Sequence, residues 1–403
     1  MRKSIELDLS SSDPHLRRPT FLELFFDLVF VFALTRIVAR IYEGLTIRPA
    51  GHELWVVSLG FCKSVLLLVA LFAVWQGTAW STSRYNPDSG IVQTVVIIAL
   101  VGSMVMGVAL PRAFSSSGLL FAVAYCVVQV SRPLLLLTAV REHERRSLKV
   151  RMLITHSTLS VAWIAGASTT GWSRGLLWTL ALATEYTLVR FGWPVPGLGR
   201  SRSSRWNIAG SHLAERFQQF FLIALGETIL VIGWAYSDHL APERTIAFAV
   251  SIATSVLIWR IYFHRAGRIL AEAVALSRHP ATIGRSAANT HLVMTIGIVA
   301  TAAGYELSIG HPLDQPELSW LLPILGGPAL FIAGRSRFEY EVFSRVSPSR
   351  IVAIVVLIAL VPAVQGAPTV VASAAAMLVL TAVAIADARR SRGAPPEPAA
   401  PPF

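Results

Sequence analysis

Charge is what this 403-residue chain has least of. Only 14% of it is Asp, Glu, Lys or Arg, while 54% is hydrophobic and mean hydropathy is +0.59; soluble globular domains carry roughly 25% charged residues. That balance excludes an ordinary soluble globule, and it excludes disorder everywhere but the ends. Cysteine is almost absent. Cys62 and Cys126 both lie in apolar segments, with no CxxC or metal-ligand spacing, so there is no disulfide framework. No nucleophile elbow, Cys/His pairing or phosphate-binding glycine loop is present, so soluble catalysis by a nucleophilic triad has no support and no catalytic residue is assigned. No apolar run precedes residue 20, and no small-residue cleavage site follows a short one. The N-terminus therefore does not read as a cleaved signal peptide, and the first helix is expected to act as its own insertion signal.

What is present is a succession of long apolar runs, each near the roughly 20 residues that a bilayer core demands. Twelve spanning helices are expected, at 20–42, 53–79, 90–110, 117–140, 151–172, 174–192, 213–236, 243–264, 288–309, 318–336, 350–365 and 367–388. The fold class is thus an all-α integral membrane protein, a polytopic bundle over 20–390. Residues 1–19 form a cytoplasmic N-terminal segment, and the Pro/Ala-rich tail 391–403 is expected to be disordered. The tenth run is broken by Pro323, Gly326, Gly327 and Pro328. Laying Glu23 on Glu215 aligns Phe25 with Phe217 and Thr35 with Glu227, which suggests two parallel six-helix halves divided near 193–212.

Lys and Arg test this topology. With the N-terminus in the cytoplasm, 25 of the 35 fall in inside segments and five in outside loops (Arg40, Arg48, Arg112, Arg174, Arg244). Five more, Arg36, Lys63, Arg132, Arg216 and Arg260, lie within spans. An asymmetry that alternates with every crossing is what positive-inside insertion predicts, with an even number of helices and both termini cytoplasmic. It also accounts for the net charge of +12 without nucleic acid as a partner.

The first run carries two acids among five phenylalanines, Glu23 and Asp27, four residues apart and so on one helical face. Intramembrane acids are costly and usually face a bundle interior or a polar cavity. The segment Thr20-Phe21-Leu22-Glu23-Leu24-Phe25-Phe26-Asp27-Leu28-Val29-Phe30-Val31 resembles the signature of the bacterial low temperature requirement protein A family. So do His212-Leu213-Ala214-Glu215-Arg216-Phe217 with Ile223-Ala224-Leu225-Gly226-Glu227, and, less specifically, Arg84-Tyr85-Asn86-Pro87-Asp88, Tyr262-Phe263-His264-Arg265 and His291-Leu292. The resemblance implies a polytopic protein of the bacterial inner membrane. It implies little about activity, since the family name records a cold-growth phenotype. Asn86 stands where the family pattern has Asp, Ser89-Gly90 where it has further acids, and His264 where it is usually acidic. A metal role built on those acids is weakened.

The expected topology puts Glu23, Asp27, His212, Glu215, Arg216, Arg132, Arg260, His264, His156 and His291 at the cytoplasmic level, with Arg84 and Asp88 in the first cytoplasmic loop. Deeper, Glu227 follows Arg216 by eleven residues, almost three full turns and about 16 Å along the axis. Arg216, Gln219, Ile223 and Glu227 form a polar track, and Gly226 would admit a close neighbouring backbone. Each group has a structural alternative. Glu23 could snorkel to headgroups, Glu215 and Arg216 could pair with a neighbour, Arg132-Pro133 could be a kink with a snorkelling arginine, and His156 and His291 could be satisfied core histidines.

Three functions are weighed. The first is a proton-coupled secondary transporter of a small polar or anionic solute. Its cytoplasm-facing cavity would be lined by Glu23, Asp27, Arg132, Glu215, Arg216, Gln219 and Arg260 and would lead to Glu227, with Arg84, Asp88, His156, His212, His264 and His291 as secondary candidates. Membrane lipids are the other expected partner, and no cofactor is required. The second is a membrane-embedded Mg-dependent enzyme on prenyl or lipid-linked diphosphates, with Glu23, Asp27 and Asp88 on the metal and arginines on phosphate. No DDxxD-type cluster supports it. The third is a structural or regulatory membrane protein of cold adaptation.

Overall fold

A computed structural model describes residues 18–46, 54–140, 143–201, 210–237, 241–264, 266–277, 280–392 and 397–402. The N-terminal segment 1–17, the middle of the expected break near 193–212 (202–209) and part of the tail (393–396, 403) lie outside them. Among the described residues the chain is all-helical: α1 (Phe21–Thr46), α2 (Leu54–Thr82), α3 (Gly90–Ala109), α4 (Gly118–Ala139), α5 (His143–Ala167), α6 (Gly171–Arg190), α7 (Gly210–Ser237), α8 (Pro242–Phe263), α9 (Ala266–Leu276), α10 (Pro280–Gly310), α11 (Leu318–Leu321), α12 (Gly327–Phe343), α13 (Pro348–Val364) and α14 (Thr369–Ser391). Each of the twelve expected runs falls on helix, and the short α9 is an addition.

Eight helical stretches are long and apolar enough to cross a membrane: Trp55–Thr82, Gly90–Arg112, Gly118–Ala139, Gly210–Ser237, Pro242–Phe263, Ala281–Gly310, Leu318–Phe343 and Thr369–Ser391. α1, α5, α6 and α13 do not reach that standard. α1 carries Glu23, Asp27, Arg36 and Arg40; α5 begins with His143-Glu144-Arg145-Arg146; α6 carries Arg174, Glu185 and Arg190; α13 has 17 residues. The expected break at Pro323 is a widening rather than a gap. A π-type turn at Leu322–Gly326 joins α11 directly to α12, because Pro323 has no N–H to keep the regular ladder.

Packing divides the chain into two compact units. The first comprises the chain up to Arg36, Leu66–Arg216 and a short piece ending at Thr282. The second comprises Ile37–Val65, Phe217 onward to 277, and Ile283 onward. α1, α2 and α7 run through both.

In the first unit α3 packs on α4, α4 on α5 and α5 on α6. Tyr125, Trp163 and Trp178 fill the space between them, with Tyr125–Trp163 ring centres 4.3 Å apart and Trp163–Trp178 5.1 Å apart. Trp178 Nε1 donates to Trp163 O at 2.9 Å. Arg174, expected in an outside loop, is buried at the end of α5. It donates to the carbonyls of Thr169 (2.6 Å), Ala167 (3.0 Å), Ala113 (2.8 Å) and Ser115 (2.9 Å), the groups a helix end leaves unsatisfied.

In the second unit α10 and α12 meet along glycines. A Cβ on Gly297 would stand 2.5 Å from Phe331 N and 2.9 Å from Gly327 O, so only glycine lets the backbones approach this closely. Gly226, by contrast, has nothing within 4 Å and is exposed, so the expected close contact there is absent. α12, α13 and α14 pack in sequence, α14 also covers α8, and α9 lies on α8 and α12. Arg350 ties three of these helices together, paired with Glu339 on α12 and donating to Asp387 Oδ2 on α14 at 2.9 Å. Near the tail's end, Ala400 N donates to Val342 O at 2.8 Å and Arg345 pairs with Glu397, so residues 397–402 lie against the end of α12.

Candidate functional site

The chain Thr20-Phe21-Leu22-Glu23 is a capping box. Thr20 N donates to Glu23 Oε2 at 2.9 Å, and Glu23 N donates back to Thr20 Oγ1 at 3.4 Å. This sets the start of α1, and the Glu23 carboxylate faces inward. One turn on, Asp27 faces the same way. Both are 1% exposed, so Glu23 does not snorkel to a membrane surface. α7 supplies the cations. Arg216 grips Asp27 with both guanidinium nitrogens, Nη1 to Oδ2 at 2.7 Å and Nη2 to Oδ1 at 2.8 Å. This bidentate geometry gives the strongest kind of charge-assisted hydrogen bond. Arg216 Nε stands 3.6 Å from Glu23 Oε1, and His212 Nε2 stands 3.3 Å from Glu23 Oε2.

α2 closes the group. Trp75 Nε1 donates to Asp27 Oδ1 at 2.9 Å, and its ring lies 5.9 Å from the Arg216 guanidinium. Ser83 Oγ is 2.9 Å from His212 Nδ1 and spends its own proton on Ala79 O at 2.7 Å. The Ser83 oxygen is therefore the acceptor, and His212 Nδ1 carries a hydrogen. With Nδ1 protonated, a neutral imidazole would turn the Nε2 lone pair toward the Glu23 carboxylate. The geometry suits an imidazolium that donates in both directions. Two carboxylates, one guanidinium and one imidazolium then sum to zero, and losing the His212 proton leaves one net negative charge in a buried group. Trp75→Phe, which deletes one donor to a buried carboxylate, is expected to cost about 1.5–3 kcal/mol in unfolding experiments in detergent.

A second cluster occupies the same unit. Tyr125 Oη donates to Glu185 Oε2 at 2.6 Å, and Gln129 Nε2 donates to Glu185 Oε1 at 2.7 Å. Gln129 Oε1 accepts from Arg132 Nη2, so the amide relays between the arginine and the acid. Arg132 is buried against the backbone of α2 at Gly77, where any Cβ would collide with its guanidinium. Trp75 and Gly77 are two residues apart and face almost opposite sides of α2. Arg132 thus belongs to a cluster apart from Asp27.

The remaining expected residues separate. Glu215 is half-buried near His212, Arg84 is half-buried, and Asp88 is exposed with its backbone N–H on Asn86. In the second unit Gln219 is half-buried and Glu227 fully buried on α7, while Arg260 is exposed on α8. His264 gives its carbonyl to Arg335 Nη2 at 3.0 Å. His291 is a satisfied core histidine: Nδ1 donates to Ala287 O at 2.6 Å, Nε2 accepts from Tyr262 Oη at 2.9 Å, and the ring stacks on Phe217. Among the described residues no group of three His, Cys, Asp or Glu side chains is placed to hold a metal ion. Trp75, Ser83, Tyr125 and Gln129 escape sequence reasoning because nothing separates them from ordinary residues of apolar helices. The Thr20–Glu23 capping spacing is present in the sequence, but it fixes the helix start and not the direction in which Glu23 faces.

The family described as Bacterial low temperature requirement A protein (LtrA) matches residues 18–385. An uncharacterized protein of Rhizobium meliloti (strain 1021), RA0937, is 36% identical over 335 residues, 82% of this chain and 79% of that protein. No solved structure matches significantly. The matched span contains both acids of α1, both cations of α7 and the whole Gln129–Glu185 cluster, and the chain belongs to the bacterial low temperature requirement A family.

Proposed function

We propose that the protein is a proton-coupled secondary transporter of a small polar or anionic solute in the bacterial inner membrane, with the Glu23–His212 pair as its proton-binding element. The supporting observation is the charge count at that pair. Asp27 and Arg216 neutralise each other bidentately, and Glu23 is balanced only while His212 holds a proton. A buried group whose charge changes by one with a single proton suits coupling. In this reading all twelve long helical stretches cross the membrane, with both termini cytoplasmic.

The diphosphate-enzyme reading is weaker. Glu23 and Asp27 are engaged by His212 and Arg216, and Asp88 is exposed.

The test is reconstitution into liposomes with an imposed pH gradient, following internal pH and uptake from a mixed metabolite pool. Wild type is expected to show gradient-driven flux, and His212→Gln to lose it while keeping its helical content. Equal flux in His212→Gln, or none in well-folded wild type, sinks the proposal. The latter result redirects work to Mg²⁺-dependent turnover of diphosphates.

A further inference from the structure

The other buried arginines of the first unit meet carbonyls, a hydroxyl or an acid, although Arg151 Nε has no hydrogen-bond partner among the described residues. Arg174 meets a ring of backbone carbonyls, Arg151 donates to Leu198 O at 2.9 Å and Ser201 Oγ at 2.6 Å, and Arg216 holds Asp27. The neighbourhood where α4 faces α5 is different. Arg132 and Lys149 are only 3% and 4% exposed. Among the described residues the one carboxylate acting on Arg132 is Glu185, and both its oxygens are already taken by Tyr125 and Gln129. The charges acting on Lys149, those of Arg84 and Arg132, are both positive. Its ammonium rests 5.0 Å from the centre of the Tyr85 ring and has no hydrogen-bond partner among the described residues. His156 stands seven residues after Lys149, on the same face of α5. It is buried, feels Arg132 and Lys149, and keeps Nε2 without a partner; Arg132 Nε and Nη1 are likewise sealed from solvent without one. Among the described residues, Arg132 therefore has one acid acting on it, already occupied, and Lys149 has none. A surplus buried charge is costly unless something of opposite sign pairs with it, and unused donors beside it call for an acceptor.

We propose that Arg132, Lys149 and His156 form a binding site for a phosphate-type oxyanion. An ammonium, a guanidinium edge and an imidazole nitrogen together present charge and directed N–H groups to several oxygens of one anion. Gly77 is part of the construction, because its lack of a side chain leaves room for the Arg132 guanidinium. The inference does not rest on proton coupling, and binding is read without any flux. The anion comes either free from solution or as a lipid phosphate headgroup, and the two sources are separable.

The test uses the full chain in neutral detergent, titrated with orthophosphate against chloride at constant ionic strength. The unfolding midpoint is followed together with tryptophan emission, for which Trp193, its ring 5.0 Å from that of His156, is a local reporter. A parallel arm places the protein in nanodiscs of phosphatidylcholine with or without phosphatidic acid. Saturable stabilisation by orthophosphate supports the site with a free anion, and stabilisation by phosphatidic acid alone supports it with a lipid headgroup. Lys149→Met is expected to weaken the response at least about tenfold, the weight of one charge-assisted hydrogen bond. Its ligand-free midpoint is expected to match or exceed wild type, since it removes a surplus buried charge. If Lys149→Met does not fold, His156→Asn is read in its place. No saturable response in either arm, or a wild-type response in the folded variant, overturns the proposal.

Discussion

Arg216→Met is expected to be the most damaging single substitution in the first unit, lowering stability by about 3–5 kcal/mol. The reason is not the loss of a favourable pair, since two charges taken out of water gain little net energy from each other. It is that Asp27 and Glu23, both 1% exposed, would remain buried, with His212 left to pair with Glu23 and only the Trp75 N–H on Asp27 among the described residues. Tryptophan fluorescence during unfolding in detergent reads the change. The triple variant Glu23→Gln, Asp27→Asn, Arg216→Met removes the stranded charges and is expected to recover most of the loss. A fall below about 1 kcal/mol for the single variant, the range of exposed ion pairs, would show that the group is reached by water.

The second large effect is expected at Gly297. A valine there sets its Cβ against Phe331 N and the Gly327 carbonyl, which are backbone atoms with no rotamer to yield. α10 and α12 must separate along their seam, and the expected cost is about 3 kcal/mol or more, the upper end of overpacking. Gly226→Val is the matched control. It makes the same change in a helix with open space around the site, and it is expected to shift stability by less than about 1 kcal/mol. Equal effects at the two sites would mean that intrinsic helix preference, not the seam, sets the outcome.

Much of the helical framework is legible in the sequence, because apolar runs announce themselves. Its boundaries are less so. α5 was expected at 151–172 and occupies His143–Ala167. Its first turns are rich in Glu, Arg and Lys, which hydropathy discards and helix propensity accepts. α10 likewise begins at Pro280 rather than near 288, since Ser, Asn and His in Arg285–His291 mask a helix whose polar atoms are met by neighbours such as Glu341. Glu23, Asp27 and Arg216 stand out in the sequence by their residue types, but their partnership does not, because nothing local in α1 indicates which distant cation it will meet. Arg132 shows the same limit. Beside Pro133 it reads as a snorkelling kink residue, and only the packing of α4 on α2 and α5 reveals that it is sealed.

The span from Asp27 to Arg216 has a consequence for biosynthesis. The two ends of this ion pair are 189 residues apart in the chain. At ordinary translation rates that separation amounts to roughly 10–40 s between the emergence of one partner and the other. During that interval the nascent chain holds both acids of α1 while their guanidinium and imidazole are still unmade. If α1 crosses the membrane, as the proposed function has it, it must enter with those acids unpaired by α7. A fragment truncated in the α6–α7 loop would remain in that incomplete state for its whole lifetime, a ready substrate for quality-control proteolysis.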